Sequence, residues 1–465
     1  MNSPQNNIQQ PFLILLFIAV VMTAISFFNV KASFLPDFLS EIKKPIPVLT
    51  EIKTETKTIV TIDSVTKDTI KKLVKIRVPV IPTELTDTAN VKNIVSFAHF
   101  FQAIDSLKAG KRKKIRVAYF GDSMIEGDFI TDDLRKLLQS KYGGNGVGYV
   151  PITSVVAHFR QTITHSFSSD WSDYNFSKRG KKDLPLSGHV FYGTDKSDVQ
   201  YKSVKKYGLF QNVYLLHGPG SCSLAVTTDT MNRELILSGE KSFNKTPIIR
   251  NAGTKRLDIK NIDCQNIGLY GLSFETESGV TLDNYSFRGI SGLEYNSVTA
   301  EMFAQTAAEQ PYDLIILHYG LNVATDSITS YHWYESKFEK VVQRFKTYFP
   351  KATILMVSIS DKAYKKDGAF VTSPAVPALV KAQERISKKE NVSFWNLYQA
   401  MGGYNSMVKW ATEKPILAHT DYTHVNNGGA RKIATLLYNH LESEYKRYKN
   451  QDSTVVTLPD KNIKP

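Results

Sequence analysis

Cysteine is scarce in this chain, because Cys222 and Cys264 are the only two among 465 residues. No Cys-x-x-Cys pair occurs, so the sequence lacks the spacing of thiolate zinc sites and of redox-active dithiol motifs. Two interpretations of the pair stay open. The two residues form one disulfide, as in an oxidising compartment, or they are two buried free thiols.

Patterns typical of nucleic-acid binding are also absent: the sequence has no zinc-finger spacing and no basic stripe interleaved with aromatic residues. The net charge is nevertheless +14, and about half of the excess lies in residues 41–114. We interpret the basic surplus as belonging to a solvated linker, with attraction to an anionic polymer or membrane as the alternative. The glycine cluster at 142–148 lacks Gly-x-Gly-x-x-Gly spacing and follows a helical pattern, which excludes a phosphate cradle there.

Charge is missing from residues 11–28, an apolar run long enough to span a hydrocarbon core of about 30 Å. The ten residues before it contain no Lys or Arg, which is untypical of a secretory signal peptide. We therefore predict an uncleaved membrane anchor in residues 1–30, in preference to a cleaved signal or a buried core helix. The anchor does not set its own orientation, because the preceding residues are uncharged. The chemistry of the residues described below leads us to expect the bulk of the chain in the periplasm or elsewhere outside the cytoplasm.

An extended stalk is predicted for residues 31–93, which are rich in Lys, Thr, Val, Ile and Pro. Beyond it, strand-like runs alternate with helical patterns. The runs are 115–120, 280–286, 313–319, 352–358 and 392–396. Near-continuous apolar strands followed by helices predict a parallel sheet covered on both faces, with ligands bound at the carboxyl ends of the strands.

Residues 150–278 interrupt the alternation with short apolar runs separated by turn residues. This pattern predicts an inserted all-β, sandwich-like domain. Trp171 and Tyr174 in it could hold a polymer or could belong to its core. The α/β domain then consists of residues 94–149 and 279–446, and residues 447–465 form a polar tail.

Ser123 lies in the turn Gly121-Asp122-Ser123, where the first apolar strand passes into a helical pattern. A serine hydroxyl is a weak nucleophile unless a neighbouring base accepts its proton. The alternative is that Asp122 or Ser123 only caps the helix. A base is available in the loop before the last helix, since Asp421 and His424 are three residues apart and could form a carboxylate–imidazole pair facing the serine.

Two further residues follow strands of the predicted sheet. Asn322 could donate its amide to an oxyanion, and Gly292 could bring its backbone N–H close to a substrate oxygen; both could equally be turn residues. His318 and His419 flank these loops without a partner at metal-ligand spacing, so we interpret them as structural.

In combination, the stretches GDSMIEGDFITDDLR, GNGVGYVP, RGISG and YGLNVA resemble the SGNH, or GDSL, hydrolases, and among them the peptidoglycan O-acetylesterase branch of bacterial envelope enzymes. The resemblance implies a flavodoxin-like three-layer α/β/α domain. It implies Ser123 as nucleophile, His424 as base and Asp421 as its orienting carboxylate. The oxyanion hole would comprise the N–H groups of Ser123 and Gly292 and the side chain of Asn322. Val323 and Met124 depart from the usual residues after the Asn and the Ser.

From these features we expect a membrane-anchored serine esterase that removes acyl groups, chiefly O-acetyl, from an envelope glycan such as peptidoglycan. Its partners would be an acylated glycan polymer and the membrane, without nucleic acid, cofactor or metal. Two alternatives remain: an O-acetyltransferase that uses the same triad, and a non-catalytic glycan-binding envelope protein.

Overall fold

The structure is a computed structural model that describes the backbone of residues 87–178 and 183–454 and the side chains of residues 97–178 and 183–450. The predicted membrane anchor and nearly all of the predicted stalk lie outside these residues. Within them, no helix combines the length and the apolar character needed to cross a bilayer.

The described chain contains eight α-helices: α1 (Asp87–Lys108), α2 (Thr131–Tyr142), α3 (Ala300–Glu309), α4 (His332–Tyr348), α5 (Ala375–Glu390), α6 (Leu397–Met401), α7 (Ser406–Thr412) and α8 (Asn427–Thr454). Its strands are β1 (Lys114–Gly121), β2 (Gly148–Val150), β3 (Ile163–Phe167), β4 (Ser172–Asn175), β5 (His189–Tyr192), β6 (Asp198–Ser203), β7 (Asn212–His217), β8 (Gly220–Thr228), β9 (Asn232–Gly239), β10 (Asn244–Ile249), β11 (Arg256–Asn261), β12 (Leu269–Glu275), β13 (Gly279–Ser286), β14 (Leu314–His318), β15 (Thr353–Val357), β16 (Ala363–Lys366), β17 (Ala369–Thr372) and β18 (Ser393–Trp395).

A five-stranded parallel sheet organises the α/β part, in the order β13-β1-β14-β15-β18. Counted along the chain, this order is second, first, third, fourth, fifth, which is the flavodoxin-like arrangement. All five strands coincide with the apolar runs predicted from the sequence. The mixed α/β class with a parallel sheet is therefore confirmed.

The helices bury the faces that their periodicity predicts. In α4, Tyr334, Phe338 and Phe345 are at most 1% exposed, and their i, i+4 and i+11 positions fall on one side of a 3.6-residue helix. Helix α1 contacts α2 and α8, whereas α4 contacts α3 and α5. Two such groups are expected when helices cover both faces of a parallel sheet.

The inserted region is a sandwich of two mainly antiparallel sheets, as predicted. One sheet has the order β10-β7-β12-β5-β4 with β2 paired to β12, and the other has the order β3-β6-β11-β8-β9. Neighbouring residues in β7 show that the two faces of the first sheet pack against different cores. Leu215 belongs to the core between the sheets, and Leu216 faces the core of the α/β part, because side chains alternate along a strand.

A buried charge cluster joins the insertion to the first strand of the parallel sheet. Glu275, at the end of β12, accepts from Lys114 at 2.6 Å, from Arg116 at 2.9 Å and from Lys245 at 2.8 Å. Burial alone would raise the pKa of Glu275, but the three cations hold it well below its ordinary range. The carboxylate is thus fully paired, which a buried charge requires.

Cys222 and Cys264 form a disulfide with a Cα–Cα distance of 5.0 Å. It ties β8 to the loop before β12, and both residues are buried in the core of the sandwich. This answers the question that the sequence left open.

Three local features differ from the sequence-based expectation. A short 3₁₀ helix, Ser123–Asp128, stands between β1 and α2, where the pattern predicted one continuous helix. The hairpin of β16 and β17 has no counterpart among the predictions. Helix α8 extends to Thr454, so the predicted polar tail begins inside it.

Candidate active site

The strands of the parallel sheet end level with one another at the edge where the predicted site residues lie. Gly121 at the end of β1 pairs with Ser286 of β13 and with His318 of β14. The loops that follow these strands therefore start side by side. Gly121 itself permits this close approach, since a Cβ there would lie 2.9 Å from the Ile125 side chain and 3.1 Å from the carbonyl of His318.

Ser123, His424 and Asp421 form a continuous hydrogen-bonded chain. The Oγ of Ser123 is 3.0 Å from Nε2 of His424, although the two residues are 301 positions apart. The other ring nitrogen, Nδ1, is 2.8 Å from Oδ2 of Asp421. The sequence-based prediction paired the same atoms, and the structure brings all three residues together.

Asp421 is held as a carboxylate by donors from its own loop. Its Oδ1 accepts from the backbone N–H groups of Thr423 at 2.9 Å and His424 at 3.0 Å. Partial burial would raise the pKa of Asp421, but these bonds and the imidazole contact lower it below its ordinary value. The carboxylate can then fix the ring so that Nδ1–H points to Asp421 and Nε2 faces the serine.

A hairpin supports the loop that carries Asp421 and His424. The ring of Phe370 in β17 stacks on Tyr422 with centroids 3.9 Å apart. The backbone N–H of Ala363 donates to the carbonyl of Tyr422 at 2.9 Å. Tyr422 has φ +51°, a conformation that is uncommon for a residue with a side chain and needs support from its surroundings.

Asp122 is the N-cap of the 3₁₀ helix, as one interpretation of the sequence held, and its neighbour Ser123 remains free to meet His424. Oδ1 of Asp122 accepts from the N–H of Met124 at 3.0 Å, and Asp122 is 1% exposed. Burial raises the pKa of Asp122 to about 7, against the opposing effects of the Met124 bond and of His424. Asp122 can therefore cap the helix while the adjacent Ser123 contacts His424.

Asn322 lies next to Asp122, in the turn after β14. Its Nδ2 donates to the carbonyl of Ile290 at 2.8 Å and to Oδ2 of Asp122 at 3.3 Å. The side chain is exposed on the cavity side and lines the same cavity as Ser123. The short bond to Ile290 fixes the amide plane, and the longer bond to Asp122 is the weaker of the two.

Gly292 and Gly289 occupy different surroundings. A Cβ at Gly292 would lie 2.7 Å from Phe338 and 2.8 Å from Tyr319, so this glycine permits close packing of the core. Gly289 lines the cavity beside Ser123, whereas Gly292 is not among the lining residues. Both glycines have φ +83° and both stand in the RGISG stretch, and the role of the Gly292 N–H in the oxyanion hole stays a prediction.

The cavity over Ser123 has a volume of about 660 Å³. Part of its wall comes from the inserted domain, through Val156 and Phe159, and Phe159 is 60% exposed. Sequence analysis did not identify this loop. The exposure of a large apolar side chain such as Phe159 is the structural feature that marks this loop as part of a binding surface.

Trp171 and Tyr174 lie elsewhere in the insertion. Trp171 packs against the sandwich core and donates Nε1–H to the carbonyl of Asp198 at 2.9 Å. Tyr174 is 40% exposed. Neither residue lines the cavity over Ser123.

His318 and His419, which the sequence analysis interpreted as structural, differ in environment. His318 is buried, with Nδ1 3.1 Å from the hydroxyl of Tyr119, which is a structural role. His419 is exposed and lines the cavity. Among the described residues, the group with metal-ligand geometry is Cys222, Asp263 and Cys264, and both of its sulfurs are already joined in the disulfide.

Comparison with solved structures shows which known structures have a similar fold. The chain matches a structure described as a peptidoglycan O-acetylesterase in action, with a TM-score of 0.64 and 22% identity over 75% of this chain and 96% of that one. The resemblance that the sequence motifs indicated is therefore confirmed at the level of the fold.

Other matches are weaker. A family two carbohydrate esterase from Cellvibrio japonicus matches with 10% identity over 61% of this chain and 99% of that one, at a TM-score of 0.26. An acetyl xylan esterase matches with 15% identity over 35% and 81%, at a TM-score of 0.29. No family model matches the chain, and no curated protein matches it.

Proposed function

We propose that this protein is a serine esterase that hydrolyses O-acetyl esters on an envelope glycan, with peptidoglycan as the leading substrate. The observation that carries the proposal is the chain of contacts from Ser123 Oγ through His424 to Asp421, at 3.0 and 2.8 Å. Such a chain is what an alcohol needs to act as a nucleophile near neutral pH. The fold match to a peptidoglycan O-acetylesterase supports the choice of ester.

In the first half-reaction, Ser123 Oγ attacks the acetyl carbonyl carbon while its proton passes to Nε2 of His424. The resulting oxyanion needs donors in place before it forms. We assign this role to the N–H groups of Ser123 and Gly292 and to the amide of Asn322. The oxyanion would take the Asn322 N–H whose bond to Asp122 is long, at 3.3 Å.

When the tetrahedral intermediate collapses, the bond to the sugar oxygen breaks and Nε2–H protonates that oxygen. The sugar leaves as an alcohol, and the acetyl group stays on Ser123. In the second half-reaction a water gives its proton to Nε2 and attacks the acetyl-serine. Acetate leaves, and the proton returns to Oγ. Asp421 stabilises the imidazolium that forms twice in each cycle.

Two features favour a location of the catalytic part outside the cytoplasm. The Cys222–Cys264 disulfide is typical of oxidising compartments, and the apolar run at 11–28 is typical of a membrane span. We propose an envelope-facing catalytic part carried by the basic stalk. The N-terminal segment would hold the protein at the membrane.

The test is acetate release from O-acetylated peptidoglycan and from acetylated xylan, by the wild type and by Ser123→Ala. The proposal predicts release from peptidoglycan by the wild type, none above background by Ser123→Ala, and slower release from xylan. Transfer of acetyl from an activated donor to a sugar, without net hydrolysis, would instead support the transferase alternative. Binding without either reaction would support the glycan-binding alternative.

A further inference from the structure

A second cavity of about 350 Å³ lies beside the one over Ser123. Its wall combines the α/β part and the insertion, with Asp128 from the first and Arg160, Asp173 and His189 from the second. The catalytic chain described above does not use it. Its lining is rich in charged groups, which makes the balance of those charges informative about a ligand.

The two cavities share a boundary. Glu126, Gly127, Val156 and Arg288 line both of them. Across this boundary Arg288 Nε donates to Glu126 Oε2 at 2.8 Å, and Arg288 is 64% exposed in its side chain. A polymer that places one unit at Ser123 can therefore extend into the second cavity.

Each carboxylate in the second wall already has partners. Asp173 accepts from Nδ1 of His189 at 3.0 Å and from Nδ2 of Asn175 at 2.8 Å. Glu126 is paired with Arg288. Asp128 receives two bonds from Arg135, at 2.8 and 2.9 Å, which is the bidentate arrangement that satisfies a carboxylate.

Lys178 and Arg288 of this wall are exposed, whereas Arg160 is largely buried and shares its carboxylate partner, Asp128, with Arg135. Arg160 is 9% exposed in its side chain, and its contact to Asp128 is long, at 3.3 Å. Its other bonds go to neutral oxygens, from Nε to Thr162 at 2.7 Å and from Nη2 to the carbonyl of Tyr149 at 3.3 Å. The hydrogen bonds of Arg160 within the described residues use Nε and Nη2 and leave Nη1 without an acceptor.

The charge of Arg160 is therefore incompletely balanced. Burial and the nearby Arg135 lower the pKa of its guanidinium, while Asp128 opposes them. Arginine nevertheless stays charged in proteins. A buried charge is costly unless it is paired. An anion entering the cavity would supply the missing partner.

We propose that the second cavity is an anion subsite, where Arg160 binds a carboxylate of the same glycan whose O-acetyl group lies at Ser123. The inference rests on the esterase function proposed above and narrows its substrate to acidic, carboxylate-bearing glycans. The free N–H groups on Nη1 suit a carboxylate oxygen, because a hydrogen bond between two charged groups is stronger than one between neutral groups. The shared boundary at Glu126 and Arg288 gives the route between the two sites.

The experiment compares an O-acetylated disaccharide that bears a carboxylate with the same disaccharide after its carboxylate is converted to a primary amide. 4-Nitrophenyl acetate, which has no sugar, reports on the Ser123 chemistry alone. The wild type is expected to have a kcat/KM about tenfold higher, or more, for the acid than for the amide, the usual scale for a charge-assisted hydrogen bond.

Arg160→Gln should lose this preference, with kcat/KM for the acid falling to that for the amide, while 4-nitrophenyl acetate hydrolysis stays within about twofold. The matched control is Arg250→Gln, an exposed arginine of the insertion that lines neither cavity; it should keep the preference. If Arg160→Gln does not fold, the acid-to-amide ratio of the wild type decides alone.

Equal kcat/KM of the wild type for acid and amide would overturn the subsite while leaving the esterase function in place. An unchanged acid-to-amide ratio in folded Arg160→Gln would do the same. If the wild type hydrolyses none of the three esters, or if Ser123→Ala hydrolyses them equally well, the esterase function itself fails and the subsite fails with it.

Discussion

The amide of Asn322 donates to Oδ2 of Asp122 at 3.3 Å, which links the oxyanion side of the site to a carboxyl group that is 1% exposed. Asp122 precedes Ser123, and its other oxygen caps the 3₁₀ helix through Met124. Burial raises the pKa of Asp122 to about 7. Protonation of the Asp122 carboxyl should therefore affect the stability of the turn that holds Ser123.

Asp122→Asn tests this coupling through the pH dependence of stability. A carboxyl whose pKa is raised from 3.8 to about 7 on folding stabilises the native state most in acid. That contribution is lost as the pH rises from about 4 to 7, with a limiting slope of about 1.4 kcal/mol per pH unit. The variant has no such proton, so the wild-type minus variant free energy of unfolding should fall across this interval and level off above it.

Urea unfolding between pH 4 and 8 measures this difference. The control is Asp195→Asn, which makes the same change at an exposed aspartate of the insertion. A wild-type minus Asp122→Asn difference that does not change with pH would mean that the buried carboxyl does not titrate in this range.

Asn322→Ala should lower kcat by about a hundredfold to a thousandfold, because removing one preset oxyanion donor costs roughly 2.7 to 4 kcal/mol. KM should change little, since the oxyanion exists only in the transition state. Steady-state kinetics with 4-nitrophenyl acetate checks this split. Asn296→Ala, at an exposed asparagine bonded to the carbonyl of Lys337, is the control, and equal kinetics for the two variants would remove Asn322 from the oxyanion hole.

Phe370→Ala should lower kcat about tenfold without altering any residue of the triad. The ring stacks on Tyr422 and steadies the loop that carries Asp421 and His424, and small displacements of a base are costly. Tyr404→Ala removes another exposed aromatic side chain, 63% exposed, and should leave kcat unchanged. The hairpin would lose its positioning role if Phe370→Ala had the kcat of the wild type while its unfolding midpoint fell.

Removing the disulfide with Cys222→Ser and Cys264→Ser together should destabilise the protein by about 4 kcal/mol, the scale expected for cysteines 42 residues apart. Reducing the wild type should have the same effect. Neither cysteine lines the cavity over Ser123, so activity below the unfolding transition should persist. Identical unfolding curves for oxidised and reduced protein would contradict this.

The sequence was most informative where local pattern and burial agree. The apolar run 115–120 lies within β1, and the periodic face of α4 is buried as predicted. The position of Ser123 at the sheet edge could also be predicted, because it directly follows β1. The loop with His424 follows α7 and not a strand of the sheet, so its hydrogen bond to Ser123 is a non-local contact that strand order alone does not give.

Non-local contacts account for what the sequence did not reveal. Gly289 and Gly292 share one stretch and one backbone conformation, and no local pattern shows that Tyr319 and Phe338 pack closely against Gly292. Val156 and Phe159 reach the cavity from another domain, so no local pattern marks them. The disulfide needed the distance between Cys222 and Cys264, which spacing alone does not give.

The most direct test of the central claim is labelling with a serine-directed fluorophosphonate, followed by peptide mass spectrometry. The account predicts one labelled residue, Ser123, in the wild type, and loss of labelling in Ser123→Ala and in His424→Ala, since Nε2 lies 3.0 Å from the hydroxyl. Labelling at another serine, or undiminished labelling of Ser123 in His424→Ala, would contradict it.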